Sequence, residues 1–198
     1  IDASTLDVYG KAMPTEETFI RVDVDKYPLA NASMNKQGKQ CAGLFLHFKT
    51  TSSFIYARWT TSPRNAGDNH DAIGQKGLDL YILRDGKWLF AGVGRPSLKK
   101  EPFDHHAHKI VETLPKGDNE FLLYLPLYDS CTSLYIGIEE NASLESLPNP
   151  FRHKVLMVGS SIVQGASSSR PGLLFSSQFT RATGIYMINL GFSGNSKM

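Results

Sequence analysis

The chain has 198 residues, 41% of them hydrophobic and 11% aromatic, with a formal net charge of +2. That length allows one ample domain, or one domain and part of a second, with apolar material enough for a core without disulfide staples. The composition excludes intrinsic disorder, which needs few aromatics and a high net charge. No run nears the ~18 apolar residues of a membrane helix, and no run of Lys or Arg exceeds two, so a nucleic-acid-binding stripe is absent too.

The opening Ile1-Asp2-Ala3-Ser4 carries neither Met nor a charged segment leading into an apolar one. A processed N-terminus fits, so the lack of a leader does not argue for the cytosol, and a periplasmic or extracellular location is expected. Residues 1–148 read as a β-sandwich domain. Leu44, Leu46 and Phe48 alternate with Phe45, His47 and Lys49; Ile55, Ala57 and Trp59 with Phe54, Tyr56 and Arg58; Leu78, Leu80 and Ile82 with Asp79, Tyr81 and Leu83. Period two is the mark of a pleated strand with distinct faces. Asp85-Gly86, between Leu83 and Trp88, is a hairpin signal because such turns need positive φ. Further strands are expected at residues 109–112, 121–125 and 134–138, with Pro126 closing one of them. The many short strands suggest a jelly-roll-like sandwich. Between them, Thr60 to Lys76 reads as one long polar loop. Cys41 and Cys131 can pair or serve as two buried thiols; spacing does not decide.

The pattern changes at Leu147-Pro148-Asn149-Pro150. Residues 149–153 read as a linker, and 154–198 as the start of an α/β domain. Lys154 to Val158 is a continuous apolar run of the kind buried on both faces of a parallel sheet. Pro171 to Thr183 reads as a helix with Leu174, Phe175, Phe179 and Ala182 on its packed face, Pro at its first position and Gly184 past its end. Ile185 to Ile188 follows as a second strand, completing a β-α-β unit.

Chemistry concentrates at the carboxyl ends of these two strands, where open α/β sheets place their sites. Phosphate motifs fail there. Gly159 and Gly165 are separated by five residues and followed by Ala166-Ser167, which is no P-loop, and no Gly-x-Gly-x-x-Gly occurs. The α/β-hydrolase elbow fails because position 163 is Val. What remains is a Ser pair after a tight Gly turn, beside a second Gly-rich turn, Asn189 to Asn195. A hydroxyl next to spare backbone N–H donors is what acyl transfer needs.

These residues resemble a known family. Gly159-Ser160-Ser161-Ile162-Val163-Gln164-Gly165, Ser169-Arg170-Pro171-Gly172 and Asn189-Leu190-Gly191-Phe192-Ser193-Gly194-Asn195 resemble blocks I and II of the SGNH/GDSL hydrolases. Gly77-Leu78-Asp79-Leu80-Tyr81 resembles the Gly-x-Asp-Leu-Tyr signature of the bacterial group in which a β-sandwich precedes that hydrolase domain. The resemblance implies a mainly β chain: a sandwich followed by the first β-α-β unit of a flavodoxin-like α/β domain. It implies Ser161 as nucleophile and the N–H groups of Ser161 and Gly194 as oxyanion donors. Ser160 stands where Asp or Thr is more usual.

A Ser nucleophile needs a base oriented by a carboxylate. After Ser161 there is no His and no Asp, and His153 sits at the opposite end of its strand. The expectation is therefore an incomplete piece of a serine esterase acting on O-acylated carbohydrate or a small ester, inactive by itself, whose partners include the remainder of its own SGNH domain. No cofactor, nucleic acid or membrane is expected. Metal is not expected either: His105, His106 and His108 lie on an extended segment that turns neighbours to opposite faces, and a solvated turn is the simpler reading. The alternative is a non-catalytic carbohydrate-binding sandwich, presenting rings such as Tyr56, Trp59, Tyr81, Trp88, Tyr124 and Tyr128, or an accessory domain that shapes the hydrolase site. In either case Asp79 reads as a buried acceptor for a nearby loop.

Overall fold

The alternating runs become strands of two antiparallel sheets. A computed structural model of the chain describes residues 1–99 and 101–195. In the larger sheet, β1 (Val8–Tyr9), β2 (Phe45–Thr50), β7 (Asn119–Tyr124), β4 (Leu78–Arg84) and β5 (Lys87–Gly94) lie side by side in that order, and β9 (Leu144–Ser146) also pairs with β2. The smaller sheet runs β6 (His105–Val111), β3 (Ile55–Thr60), β8 (Ser133–Gly137). The β4–β5 hairpin turns at Asp85 (φ 49°) and Gly86 (φ 73°), with Arg84 opposite Lys87. Two successive positive φ values make the turn whose twist matches that of the strands.

Period two then builds the core. Leu46, Phe48, Leu80, Phe121 and Leu123 of the larger sheet face Ile55, Ala57, Trp59, Leu134 and Ile136 of the smaller. Trp59 is fully buried because its indole N–H donates to the Lys76 carbonyl at 2.8 Å. Cys41 and Cys131 are two free, buried thiols; burial pushes Cys41 up to about 12, and its Sγ–H donates to the Phe19 carbonyl.

Two expectations are corrected here, and one unannounced helix is added. The histidine-rich segment is strand β6 and not a solvated turn. His106 is buried, with Nδ1 accepting the Ser97 N–H at 3.1 Å and Nε2 2.9 Å from the Thr61 hydroxyl. Burial, and then the Lys76 ammonium, hold its pKa down at about 4. The Thr60–Lys76 connection is not all loop: it ends in a short helix, α2 (Ala72–Lys76), capped by Asp71. Another helix without an apolar stripe to announce it, α1 (Ala32–Gly38), is capped by Asn31, whose Oδ1 accepts the Met34 N–H at 2.9 Å.

The second unit begins with β10 (Arg152–Gly159), two residues earlier than the apolar run suggests, because Arg152 already pairs with Ile185. After it come α3 (Ser161–Gln164), a 3-10 turn at Pro171–Leu173, α4 (Phe175–Thr183) and β11 (Ile185–Gly191), parallel to β10. Pro171 does open the 3-10 turn, and Gly184 (φ 75°) closes α4. The packed face of α4 differs from the expected one. Ser176, Ser177 and Thr180 are buried, while Phe175 and Ala182 are exposed. The small hydroxyl face wins because it bonds to β11: the Met187 N–H donates to Thr180 Oγ1 at 3.0 Å. Val155, Leu156 and Val158 of β10 are likewise about half exposed, so the strand is not buried on both faces among the described residues.

The two units share an aromatic seam. From the outer face of the larger sheet, Phe45, Tyr81, Leu122 and Tyr124 meet Phe151, Tyr186 and Ile188. Phe45 makes edge-on contacts with Phe151 (5.8 Å) and Tyr186 (6.1 Å), the arrangement aromatic quadrupoles favour. The sandwich is thus the wall on which the β-α-β unit stands.

Candidate active site

Ser161 owes its position to a glycine-bounded turn. β10 ends at Gly159, Ser160 holds the position before the helix without a side-chain bond to it, and Ser161 is the first residue of the single-turn α3, which Gly165 closes at φ 110°. The N–H groups of Gly165 and Ala166 both donate to the Ser161 carbonyl, at 3.0 and 2.8 Å. Gly191 at the end of β11 lets this turn approach: a Cβ there would stand 2.1 Å from the Gln164 nitrogen. The strands are in register at Gly159 and Gly191, so both chemistry-bearing turns leave the sheet side by side. The second turn follows at once, with Gly194 at φ 75° and open space around it. Among the described residues, neither the Ser161 N–H nor the Gly194 N–H has a partner within the chain. Two unspent donors on adjacent turns next to a half-buried serine are what an oxyanion of acyl transfer would use.

The sandwich fastens these turns, which the sequence does not announce. The Tyr128 hydroxyl donates to the Ser161 carbonyl at 3.1 Å. The Tyr128 carbonyl in turn accepts from Gln40 Nε2 at 3.0 Å, Gln40 Oε1 from Gln164 Nε2 at 2.6 Å, and Gln164 Oε1 from the Ser193 N–H at 2.8 Å. This relay of amides runs from the sandwich, through α3, to the residue before Gly194. Arg21 is the second fastener and is fully buried. It donates to Asn189 Oδ1 (3.2 Å), the Gly191 carbonyl (3.0 Å), the Gln37 carbonyl (2.7 Å) and the Gln40 carbonyl (3.2 Å), and it lies 5.1 Å over the Phe192 ring. No carboxylate pairs with it among the described residues, and burial lowers its pKa to about 10. His70, on the loop before α2, stacks on Tyr128 at 4.5 Å and accepts the Ser167 N–H at 3.2 Å. His153 is at the far end of β10 from Ser161, as the strand reading requires.

Asp79 is the third tie. It is fully buried on β4, where Oδ2 accepts the Gly172 N–H at 2.8 Å and Oδ1 lies 3.3 Å from Arg170 Nη1. Gly172 has no room for a side chain, since a Cβ would stand 2.2 Å from the Tyr81 ring. Burial pushes Asp79 up to about 6, against the pull of Arg170, the Gly172 N–H and Arg181. Asp79→Ala would leave a buried N–H and a guanidinium without their acceptor, so a loss of about 2–4 kcal/mol is expected. Asp79→Asn keeps an acceptor for Gly172 and should cost less. The titration has a defined sign. An unfolded Asp titrates near 3.9, and the folded group near 6. Between these values the folded chain binds more protons, so this group's contribution to stability grows as pH falls from 6 to 4. Urea midpoints across pH 4–7 should show that slope in the wild type and lose it in Asp79→Asn; an unchanged slope would exclude Asp79 as its source.

Two family models match the chain. Residues 1–144 match GxDLY, the N-terminus of SGNH-hydrolase-type esterases, and residues 152–198 match the GDSL-like lipase/acylhydrolase family. The chain therefore belongs to the GxDLY family of SGNH-type esterases, its sandwich joined to residues of a GDSL-like hydrolase domain. Among solved structures, one from Bacteroides ovatus ATCC 8483, described as a GDSL-like lipase, is 42% identical with a TM-score of 0.95, covering 100% of this chain and 57% of that one. The salicylyl-acyltransferase SsfX3 of a tetracycline biosynthetic pathway shares the fold, with 21% identity, a TM-score of 0.65, and 95% of this chain and 51% of that one covered. The chain thus spans little more than half the length of these two structures. No curated protein sequence matches it.

Proposed function

We propose that the protein is a serine esterase that removes acyl groups, acetyl foremost, from O-acylated carbohydrate. Ser161 Oγ attacks the ester carbonyl, and the Ser161 and Gly194 N–H groups hold the tetrahedral oxyanion. The observation that carries the reading is the pair of unspent N–H groups on the two turns that leave paired strands at Gly159 and Gly191. We assign the base and its orienting carboxylate to the part of the protein that aligns with the remainder of the Bacteroides ovatus structure, and infer that residues 1–198 alone do not turn over esters. The sandwich is an accessory wall that shapes this site through Arg21, Gln40 and Tyr128. We place the protein in the periplasm or outside the cell, where acylated polysaccharide is met.

Covalent labelling tests this. The intact protein treated with a fluorophosphonate should gain one adduct, found by peptide mass spectrometry on Ser161. An adduct on another serine, or none, would overturn the assignment. Turnover of an O-acetylated xylan against a plain acetyl ester then reports whether the alcohol is a sugar.

A further inference from the structure

The sandwich has two outer faces with different fates. That of the larger sheet is covered by the β-α-β unit along the aromatic seam. That of the smaller sheet is bare among the described residues, and its side chains are of an unusual kind. Its central strand β3 turns Tyr56 and Arg58 outward, and β8 turns Tyr135 outward; both tyrosines are 38% exposed. Arg58 sits opposite Tyr135 in the strand register, its guanidinium carbon 5.0 Å from the ring centroid. It makes no ion pair and donates no side-chain hydrogen bond among the described residues. On the same face Lys109, opposite Tyr56, lies over the Phe54 ring at 5.6 Å. Beside Arg58 runs a string of polar groups: Ser133 Oγ donates to Thr60 Oγ1 at 2.9 Å, and Thr60 Oγ1 is 3.3 Å from His105 Nδ1. Together with Ser97 from the loop after β5, they line a groove of about 520 Å³.

We infer that this groove binds a stretch of acidic polysaccharide, one carrying uronic-acid carboxylates. The chemistry selects it. A tyrosine face accepts the C–H face of a sugar ring, hydroxyls and an imidazole match sugar hydroxyls, and a guanidinium with no ion pair and no hydrogen bond is a planar fork for a carboxylate. No carboxylate lines the groove. Two carboxylates stand near it outside the lining: Asp2, which accepts the Ser4 N–H at 2.9 Å, and Asp104, whose Oδ1 lies 3.9 Å from His105 Nε2 without a hydrogen bond. No Leu, Ile, Val or Met lines it, so it lacks the apolar centre by which a protein partner would be held. Because the β-α-β unit packs on the other sheet and Ser161 does not line the groove, the site would hold a chain while the hydrolase works elsewhere on it, and it stands whether or not Ser161 is an esterase nucleophile.

Calorimetric titration of the intact protein decides the matter, with trigalacturonate as probe, cellotriose as its neutral counterpart and glutarate as an anion without a ring. Saturable binding of trigalacturonate is expected, weakening with salt, with neither control matching it. Arg58→Ala and Tyr135→Ala should each weaken binding about tenfold, the size of one charge-assisted fork or one stacked ring at a half-open site. Both residues are exposed, and melting temperatures within about 2 °C of wild type in both variants should show that they fold. Absence of saturable binding, equal affinity for cellotriose, or affinity unmoved in both variants would overturn the inference.

Discussion

Replacing Ser161 with alanine in the intact protein should lower acetyl-ester turnover by at least about a thousandfold, the usual scale for removing the nucleophile of a catalytic triad. Thermal stability should barely change. The structural work of residue 161 runs through its main chain: its carbonyl takes the Gly165 and Ala166 N–H groups and the Tyr128 hydroxyl. Alanine keeps all three bonds, and the Ser161 hydroxyl itself makes none among the described residues. Ser160 provides the contrast. It precedes α3 but supplies no side-chain cap, so Ser160→Ala should retain activity within about tenfold, below what a catalytic group costs. Loss in Ser160→Ala with retention in Ser161→Ala would transfer the nucleophile by one residue and overturn the reading.

Arg21→Met should give the largest loss of stability. Methionine fills much of the volume but withdraws all the donors from Asn189, Gly191, Gln37 and Gln40. Buried acceptors left without a partner cost about 1–3 kcal/mol each before the structure relaxes. A net loss of about 3–5 kcal/mol follows, or a fall in Tm of roughly 10 °C for a chain of this size. Arg21→Lys supplies one point donor instead of a planar fork and should recover only part of it. Activity should report the same contacts differently. Gly191 and Phe192 lead directly into the turn of Gly194, so turnover measured well below Tm should fall through kcat more than through KM. A melting temperature within about 2 °C of wild type in Arg21→Met would show that the guanidinium does not hold the turn.

Much of the sandwich is legible in the chain because one face of every strand feeds the same core, although β2, β4 and β7 bury their other face as well, against the second unit. Residues 44–49, 54–59 and 78–83 alternate cleanly, and Asp85-Gly86 marks its own turn. The turns that carry Ser161 and Gly194 are legible for a different reason: glycine at 165 and 194 takes positive φ, and glycine at 191 lets backbone approach backbone. What hides is whatever depends on distant partners. Arg21 lies in Ile20-Arg21-Val22, an alternation that would ordinarily send the Arg to solvent. It is buried because its acceptors lie up to 170 residues away in sequence. The α4 face misleads in the same way, since Ser176 and Thr180 answer to β11 and not to a periodic apolar core. Gln40 and Gln164 carry no local signal at all; their meaning is the bond between them.

The amide relay from Tyr128 through Gln40 and Gln164 to Ser193 crosses between the two units, as do the Arg21 and Asp79 ties. Residues 149–151, which look like the natural place to cut and rejoin, are therefore a poor crossover point for chimaeras. A hydrolase half grafted onto a foreign sandwich would inherit acceptors without their donors. Gln40 with Gln164, Arg21 with Asn189, and Asp79 with Arg170 would have to travel as pairs, and a library that shuffles homologous halves should retain activity only where all three pairs arrive together.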